Sequence, residues 1–180
     1  RGGRIEIAVT PQRTARFTLG LRIPYWSAHT RVKVNGTTVR EVVPGRYLAL
    51  QREWKRGDRI TLDLDMTLHY WVGEKQCRGK ASIYRGPILM TYDRRLNDMD
   101  PADVPALDGL ASAHRLVTNK AGPPTIVTVD FATPGGGTVR LCDFASAGAA
   151  GTPYRSWLEV KNVNKVRFSR ENPLRSGRPG

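Results

Sequence analysis

Apolar and polar side chains alternate along two stretches of the chain, residues 17–23 and 60–66. Successive side chains of a β-strand point to opposite faces, so this period of two predicts strands with one buried face. Between these stretches, valines flank Asn35-Gly36, and an Asn-Gly pair between apolar residues is the strongest short-range signal for a hairpin. The pattern therefore predicts an antiparallel β-meander in this part of the chain.

Further alternating stretches, separated by turn residues, predict more strands. Pro24, Pro44-Gly45 and Gly57 stand between them, and both residue types favour turns because of their unusual backbone angles. Residues 88–90 are all apolar, which is typical of a buried central strand. We expect strands near residues 5–9, 16–23, 47–54, 59–66, 68–72, 81–84 and 88–92.

The pattern divides the chain into four parts. Residues 1–93 are predicted to form a β-sandwich module. Residues 94–124 are polar, contain prolines and lack alternation, which indicates a linker or a long loop. Alternation returns in residues 125–170, which predicts a second β-module or strands that complete the first, and residues 171–180 have the composition of a tail. The predicted fold class is all-β, an antiparallel and jelly-roll-like β-sandwich, as one sandwich or two small modules.

The chain is strongly basic, with a formal net charge of +13 and a pI near 10.4. Its basic residues are scattered and no nucleic-acid-binding motif accompanies them, so we predict no nucleic-acid partner. No apolar run approaches the roughly 20 residues that span a bilayer, so we predict no membrane partner. The cellular location stays open. The first residue is Arg1 rather than Met, and we expect the chain to be part of a longer protein.

The polar residues show no spacing typical of a catalytic or metal site. Cys77 and Cys142 fit neither a CxxC motif nor a zinc finger, and the three histidines show no HxH or HxxxH spacing. The carboxylates of the predicted strands and turns lie at solvent-side positions, where nothing would raise a pKa for general-acid work. We therefore predict no catalytic residue and no metal ligand in this chain.

An acidic cluster in the predicted linker leaves one alternative open. Carboxylate oxygens at short spacing can hold calcium, but this spacing does not match an EF-hand loop, and the neighbouring prolines favour a solvated linker. The cluster consists of Asp98, Asp100, Asp103 and Asp108.

Aromatic pairs are the remaining candidates for binding. The flat face of an aromatic ring suits the C–H face of a sugar, so we predict carbohydrate contacts at Tyr70 and Trp71 and at Tyr25 and Trp26. The same residues could instead fill a hydrophobic core, because aromatic side chains dominate core packing. Trp54 follows the apolar alternation of its own strand and is expected to be structural.

Four segments, in a characteristic order and spacing, carry a resemblance to a known family. They are LRIPYWS at residues 21–27, VKVNG at residues 32–36, GRYLALQREWKRGDRITLDLDM at residues 45–66 and ASIYRGPILMTYD at residues 81–93. The chain resembles the region that follows the catalytic barrel in the β-L-arabinofuranosidase family, glycoside hydrolase family 127 and its relatives. Residues 125–160 resemble the last β-module of that family more loosely.

The resemblance implies a non-catalytic, accessory β-sandwich region of a glycoside hydrolase. In that family a large all-α barrel precedes the β-modules and carries a cysteine nucleophile beside a zinc ion held by Glu and Cys side chains. That motif includes two adjacent cysteines, which this chain lacks, so no catalytic residue carries over and any zinc is expected in the barrel of the parent protein.

Two functions follow as expectations. In the first, the partner of this chain is its own catalytic barrel, which would hydrolyse β-L-arabinofuranosides, while the chain alone should be inactive. In the alternative, the chain is an autonomous carbohydrate-binding module that contacts a plant-type glycan.

Overall fold

A computed structural model describes residues 2–109, 115–117, 127–149, 151–163 and 168–169. These residues form β-strands and short 3₁₀ helices, with no α-helix among them, which confirms the predicted all-β fold class. No helix within the described ranges is long and apolar enough to cross a membrane. The chain divides into two compact units, Gly2–Thr67 and Leu68–Arg178, here called the N-terminal unit and the C-terminal unit.

The N-terminal unit contains two separate antiparallel strand arrangements. Its strands are β1 (Arg4–Val9), β2 (Ala15–Arg22), β3 (Arg31–Val34), β4 (Thr37–Thr38), β5 (Tyr47–Trp54) and β6 (Asp58–Asp63). One sheet has the strand order β1-β6-β3-β4, and β2 pairs with β5 over their full length. Apart from β3 and β4, strands adjacent in sequence do not pair in this unit, so the predicted meander is wrong. The apolar period fixes which face of a strand is buried, whereas the partner of a strand is set by contacts far apart in sequence.

One hydrophobic core fills the N-terminal unit. Val32, Ile60 and Leu62 come from the four-stranded sheet, and Leu50 and Trp54 come from the β2–β5 pair. Both strand arrangements therefore bury one face against the same core, which is the arrangement of a β-sandwich.

Two turns of the N-terminal unit are joined by side-chain hydrogen bonds. Asn35 and Gly36 both adopt a positive φ, as a two-residue hairpin turn between β3 and β4 requires. Asn35 Nδ2 donates to Asp58 Oδ1 at 2.8 Å, and Asn35 Oδ1 accepts from the backbone N–H of Arg59 at 2.8 Å. Asp58 Oδ2 accepts from the backbone N–H of Lys55 at 3.0 Å, and this bond, followed by the Asn35 bond, lowers the pKa of the Asp58 carboxyl. The Val-Asn-Gly and Gly-Asp motifs thus hold the β3–β4 turn against the start of β6.

The C-terminal unit is built around a larger mixed sheet. Its described strands are β7 (Leu68–Val72), β8 (Lys80–Arg85), β9 (Ile88–Asp93), β10 (Leu107–Asp108), β11 (Arg115–Val117), β12 (Thr128–Ala132), β13 (Thr138–Asp143), β14 (Tyr154–Arg155), β15 (Leu158–Lys161) and β16 (Phe168–Ser169). The sheet has the order β10-β15-β8-β9-β13-β12-β11, with β7 beside β8, β14 beside β9 and β16 beside β7. The β10–β15 and β16–β7 pairs are parallel, and the other pairs in this sheet are antiparallel.

The core of the C-terminal unit explains why residues 68–93 belong to it. Ile83 of β8 and Met90 and Tyr92 of β9 pack in one cluster with Phe131 of β12 and Leu141 of β13. The sequence pattern places a module boundary after residue 93, whereas the compact units divide between Thr67 and Leu68.

The described part of the predicted linker packs on the C-terminal unit. Residues 94–109 contain 3₁₀ helices at Arg94–Leu96 and Pro101–Asp103, and they end in β10, which pairs with β15. Asn97 donates to the backbone oxygens of Asp93 and Arg140, both at 2.9 Å. The polar composition of this segment therefore reflects hydrogen bonds to neighbouring strands. Residues 110–114 and 118–124 of the predicted linker, and the predicted tail at 171–180, lie outside the described residues.

Candidate carbohydrate-contact site

Tyr25 and Trp26 lie at a corner of the N-terminal unit, directly after β2. The Tyr25 side chain is 52% exposed, and Trp26 is half-buried. The adjacent Ser27 is buried, and its Oγ accepts from the backbone N–H of Asp65 at 2.7 Å and from the Thr30 hydroxyl at 2.6 Å. These hydrogen bonds fix the backbone of the corner, so the exposed side chain of Tyr25 is attached to a rigid segment.

Tyr70 and Trp71 occupy neighbouring positions on β7 and therefore point to opposite faces of the strand. Tyr70 is 1% exposed and belongs to the core of the C-terminal unit, and burial raises its pKa to about 12. A ring with both faces covered cannot stack on a sugar, so the structure makes Tyr70 a core residue rather than a binding platform.

Trp71 lies on the other face of β7 and is half-buried. His69 shares this face, and its ring stacks on that of Tyr84, with a centroid separation of 5.4 Å and an interplanar angle of 17°. Trp71 therefore stays a candidate for sugar stacking, beside an aromatic pair. The structure places Tyr25 and Trp71 in different units, so the four predicted residues do not form one cluster within either unit.

Within the part of the chain that the structure describes, the ionisable groups with shifted pKa values do not form an acid–base pair. Two buried carboxyls, Asp58 and Asp93, have lowered pKa values, whereas a general acid near neutral pH needs a raised one. Burial and the charge of Asp93 raise the pKa of the Cys142 thiol to about 11, so it is protonated at neutral pH and a poor nucleophile. Cys77 is half-buried, and both cysteines are free.

The described residues contain no group of three or more His, Cys, Asp or Glu side chains that could hold a metal ion. In the acidic cluster, Asp100 Oδ1 accepts from the backbone N–H of Ala102 at 2.9 Å and so caps the 3₁₀ helix at Pro101–Asp103. Asp108 Oδ1 accepts from Asn162 Nδ2 at 3.0 Å. These two aspartates therefore have structural partners.

A buried carboxylate, which the sequence analysis did not single out, anchors the loop between β13 and β14. Asp93 lies at the end of β9 and is fully buried. Its Oδ1 accepts from the Thr152 hydroxyl at 2.7 Å, and its Oδ2 accepts from the backbone N–H of Gly148 at 2.9 Å. Arg95 completes the arrangement, with its Nε 3.2 Å from Asp93 Oδ2 and its Nη2 donating to the backbone oxygen of Ser146 at 2.8 Å.

The anchored loop carries an exposed aromatic pair that the sequence analysis also missed. Phe144 begins the loop and is 47% exposed, and Tyr154 follows it and is 51% exposed. Their rings meet edge to face, with centroids 5.9 Å apart and planes at 81°. In sequence the two residues are ten positions apart across a stretch of small residues. Only the folded loop brings the two rings together.

The match to a family model covers the N-terminal unit. Residues 1–66 match the model described as β-L-arabinofuranosidase, GH127 middle domain. Residues 1–66 are therefore similar to the middle domain of that family. This confirms the resemblance predicted from the sequence, and the Asn35–Asp58 link lies within the matched residues.

Solved structures share the fold of most of this chain. A glycoside hydrolase aligns with a TM-score of 0.72 at 20% identity, over 88% of this chain and 30% of its own. A GH127 β-L-arabinofuranosidase from Geobacillus stearothermophilus T6 aligns with a TM-score of 0.68 at 21% identity, over 89% of this chain and 29% of its own. A further GH127 β-arabinofuranosidase aligns with a TM-score of 0.68 at 20% identity, over 93% of this chain and 31% of its own.

The chain spans about three tenths of the length of these structures. At such low identity the alignments establish a shared fold, and this fold includes the C-terminal unit, which the family model does not cover. A comparison with curated proteins finds no match.

Proposed function

We propose that this chain is a non-catalytic accessory region of a GH127-type glycoside hydrolase and that it supports the catalytic barrel of its parent protein. The match of residues 1–66 to the GH127 middle domain is the observation that carries the proposal. The name of that family model describes a part of an enzyme rather than a whole one. The length of the similar structures, of which this chain spans about three tenths, supports the same interpretation.

The parent protein would hydrolyse β-L-arabinofuranosides, as the names of the matched family and of one similar structure describe for those proteins. The described side chains of this chain do not fit a zinc site, since they hold no suitable group of ligands. We therefore assign any zinc, and the catalytic groups, to the barrel.

A supporting role suits the internal bracing of the N-terminal unit. Asn35 and Asp58 join two turns, and Trp54 Nε1 of β5 donates to the backbone oxygen of Phe17 in β2 at 3.1 Å. A surface that positions an active site must itself be held rigid by packing and hydrogen bonds.

An activity comparison tests this proposal. The 180-residue chain, purified alone, should not release nitrophenol from p-nitrophenyl β-L-arabinofuranoside, whereas the native parent protein containing it should do so. Removal of the chain from the parent should lower the activity or the thermal stability of the remaining barrel. Turnover by the chain alone would overturn the accessory role.

A second candidate function is an autonomous carbohydrate-binding module. The braced, half-exposed ring of Tyr25 favours it, since such a ring can offer one face to a sugar. In that case the chain alone would bind a plant-type glycan at Tyr25 and Trp26 in one unit or at Trp71 in the other. Retention of binding after substitution of all three by alanine would exclude these contacts.

A further inference from the structure

An open groove of about 820 Å³ lies on the C-terminal unit, between residues 100–102 and residues 151–155. Ligand sites in proteins have volumes of about 300–1,000 Å³ and combine apolar walls with a few polar groups. Pro101, Ala102 and Pro153 provide apolar surface here, and Asp100 and Arg155 provide charged groups. The groove therefore has the size and the composition of a binding site for a small ligand.

Hydrogen bonds hold the first wall of this groove in place. The Tyr92 hydroxyl donates to the backbone oxygen of Met99 at 2.6 Å, directly before Asp100. Asp100 caps the following 3₁₀ helix, and Arg155 Nη1 donates to the backbone oxygen of Pro101 at 2.8 Å across the groove. This wall should change little when a ligand binds.

The second wall is held by the buried carboxylate of Asp93. Asp93 binds Gly148 and Thr152, and Arg95 binds Ser146, so the loop is anchored at three points. Preorganised walls favour binding, since little conformational freedom is lost when the ligand arrives.

Tyr154 forms an aromatic rim along this second wall. Its ring packs edge to face with Phe144 and lies directly over Gly148. A Cβ at Gly148 would come within 2.9 Å of the Tyr154 ring, so only glycine leaves room for the ring in this position. The ring is thus held in one orientation while about half of its surface stays exposed.

The charges that line the groove balance each other. Although the whole chain carries a net charge of +13, the groove is lined by one acidic residue, Asp100, and one basic residue, Arg155. The carboxylate of Asp100 offsets the charge of Arg155, so the lining carries no excess of positive charge. Nucleic acids and acidic polysaccharides bind to surfaces with such an excess, so this groove is suited to a neutral ligand.

We propose that this groove binds a neutral oligosaccharide. One sugar ring would stack on the exposed face of Tyr154, and a sugar hydroxyl would donate to the carboxylate of Asp100, which has acceptor sites beyond the one used in capping. This site goes beyond the proposed function, because an accessory region can support a barrel without binding sugar. It is also distinct from Tyr25, Trp26 and Trp71.

Isothermal titration of the 180-residue chain with neutral arabino-oligosaccharides tests the proposal. Tyr154→Ala should weaken binding about tenfold, as expected for a central aromatic contact. Asp100→Asn, which preserves the helix cap, should weaken it severalfold. Tyr47→Ala is the matched control. Tyr47 is 72% exposed on β5 of the N-terminal unit, away from the groove residues in sequence, so this substitution should leave binding unchanged. Circular dichroism establishes that each variant is folded.

Four results would overturn the proposal: no binding of any neutral glycan, binding unaffected by Tyr154→Ala, equal weakening by Tyr47→Ala, or binding of polygalacturonate alone. Binding that is lost in Tyr25→Ala but kept in Tyr154→Ala would assign the sugar to the N-terminal corner instead. None of these results bears on hydrolysis by the parent protein, so this site and the accessory role can fail independently.

Discussion

Asp93 shows how one buried side chain can organise a surface loop. Burial alone would raise the pKa of its carboxyl, but hydrogen bonds from Thr152, Gly148 and Arg95, with the charge of Arg95, together lower it below its ordinary value. The group is therefore ionised at neutral pH in the folded protein, and its hydrogen bonds are strengthened by that charge.

Asp93→Asn should lower the free energy of unfolding by about 2–4 kcal/mol near neutral pH, because the amide cannot accept from all these donors and removes the negative charge beside Arg95. Since the pKa is lowered by folding, the carboxylate stabilises the protein above its unfolded pKa of about 3.8, and this contribution is lost as the pH falls through the folded pKa. The difference in free energy of unfolding between the wild type and Asp93→Asn should therefore become smaller as the pH falls.

Urea denaturation at about pH 7 and about pH 3 measures this difference. Asp98→Asn is the control, since Asp98 is exposed on the same segment and its substitution should change stability by less than about 0.5 kcal/mol. The role of the ionised carboxylate would be contradicted if the wild type and Asp93→Asn differed in free energy of unfolding by the same amount at both pH values.

At the scale of residues, local turn chemistry was predictable and burial was less so. Asn35-Gly36 forms the hairpin that its dipeptide predicts, because both residues tolerate a positive φ. For Tyr70 and Trp71 the alternation shows that the two side chains oppose each other, but not which one faces the core. The choice depends on which residues pack on each face, and Tyr70 joins a core cluster with Phe131 and Leu141 from the distant strands β12 and β13.

At the scale of elements, Trp54 connects β5 to β2 and to the core of the N-terminal unit. The indole is fully buried, its Nε1 donates to Phe17, and the Arg52 guanidinium lies 5.1 Å from its ring centroid. The place of Trp54 in the apolar alternation predicts a structural role, and the structure confirms it.

Trp54→Phe should destabilise the N-terminal unit by about 2 kcal/mol, because it removes the hydrogen bond and leaves part of the indole volume empty. Hydrogen exchange of backbone amides in β2 and β5 measures the effect locally. Tyr47 lies in the same strand but is exposed. Tyr47→Phe should therefore change the free energy of opening, measured by hydrogen exchange of these amides, by less than about 0.5 kcal/mol. Equal effects of the two substitutions would contradict the role given to Trp54.

The positions of several strands were predictable from the sequence, whereas their pairing was not. β5 covers the predicted residues 47–54, and β2 and β9 match their predicted ranges within a residue or two. β1, β3 and β6 form one sheet although some fifty residues separate β1 from β6, and no local pattern encodes that contact. The contact between Phe144 and Tyr154 escaped prediction for the same reason, since Asp93 anchors the loop between them from a distant strand.

At the scale of the whole molecule, the chain divides into two compact units, and residues 1–66 are similar to the GH127 middle domain. The described residues combine lowered carboxyl pKa values, a protonated buried thiol and no metal-ligand cluster. The lowered carboxyl pKa values and the protonated thiol do not suit acid–base or nucleophilic chemistry at neutral pH.

The mass and the peptide sequence of the native protein, isolated from its source, test the accessory role most directly. We expect a polypeptide several times longer than the 180 residues of this chain, with a helical region before Arg1 that contains adjacent cysteines. A native polypeptide of about 20.0 kDa that begins near Arg1 would contradict the accessory role and make glycan binding the leading function.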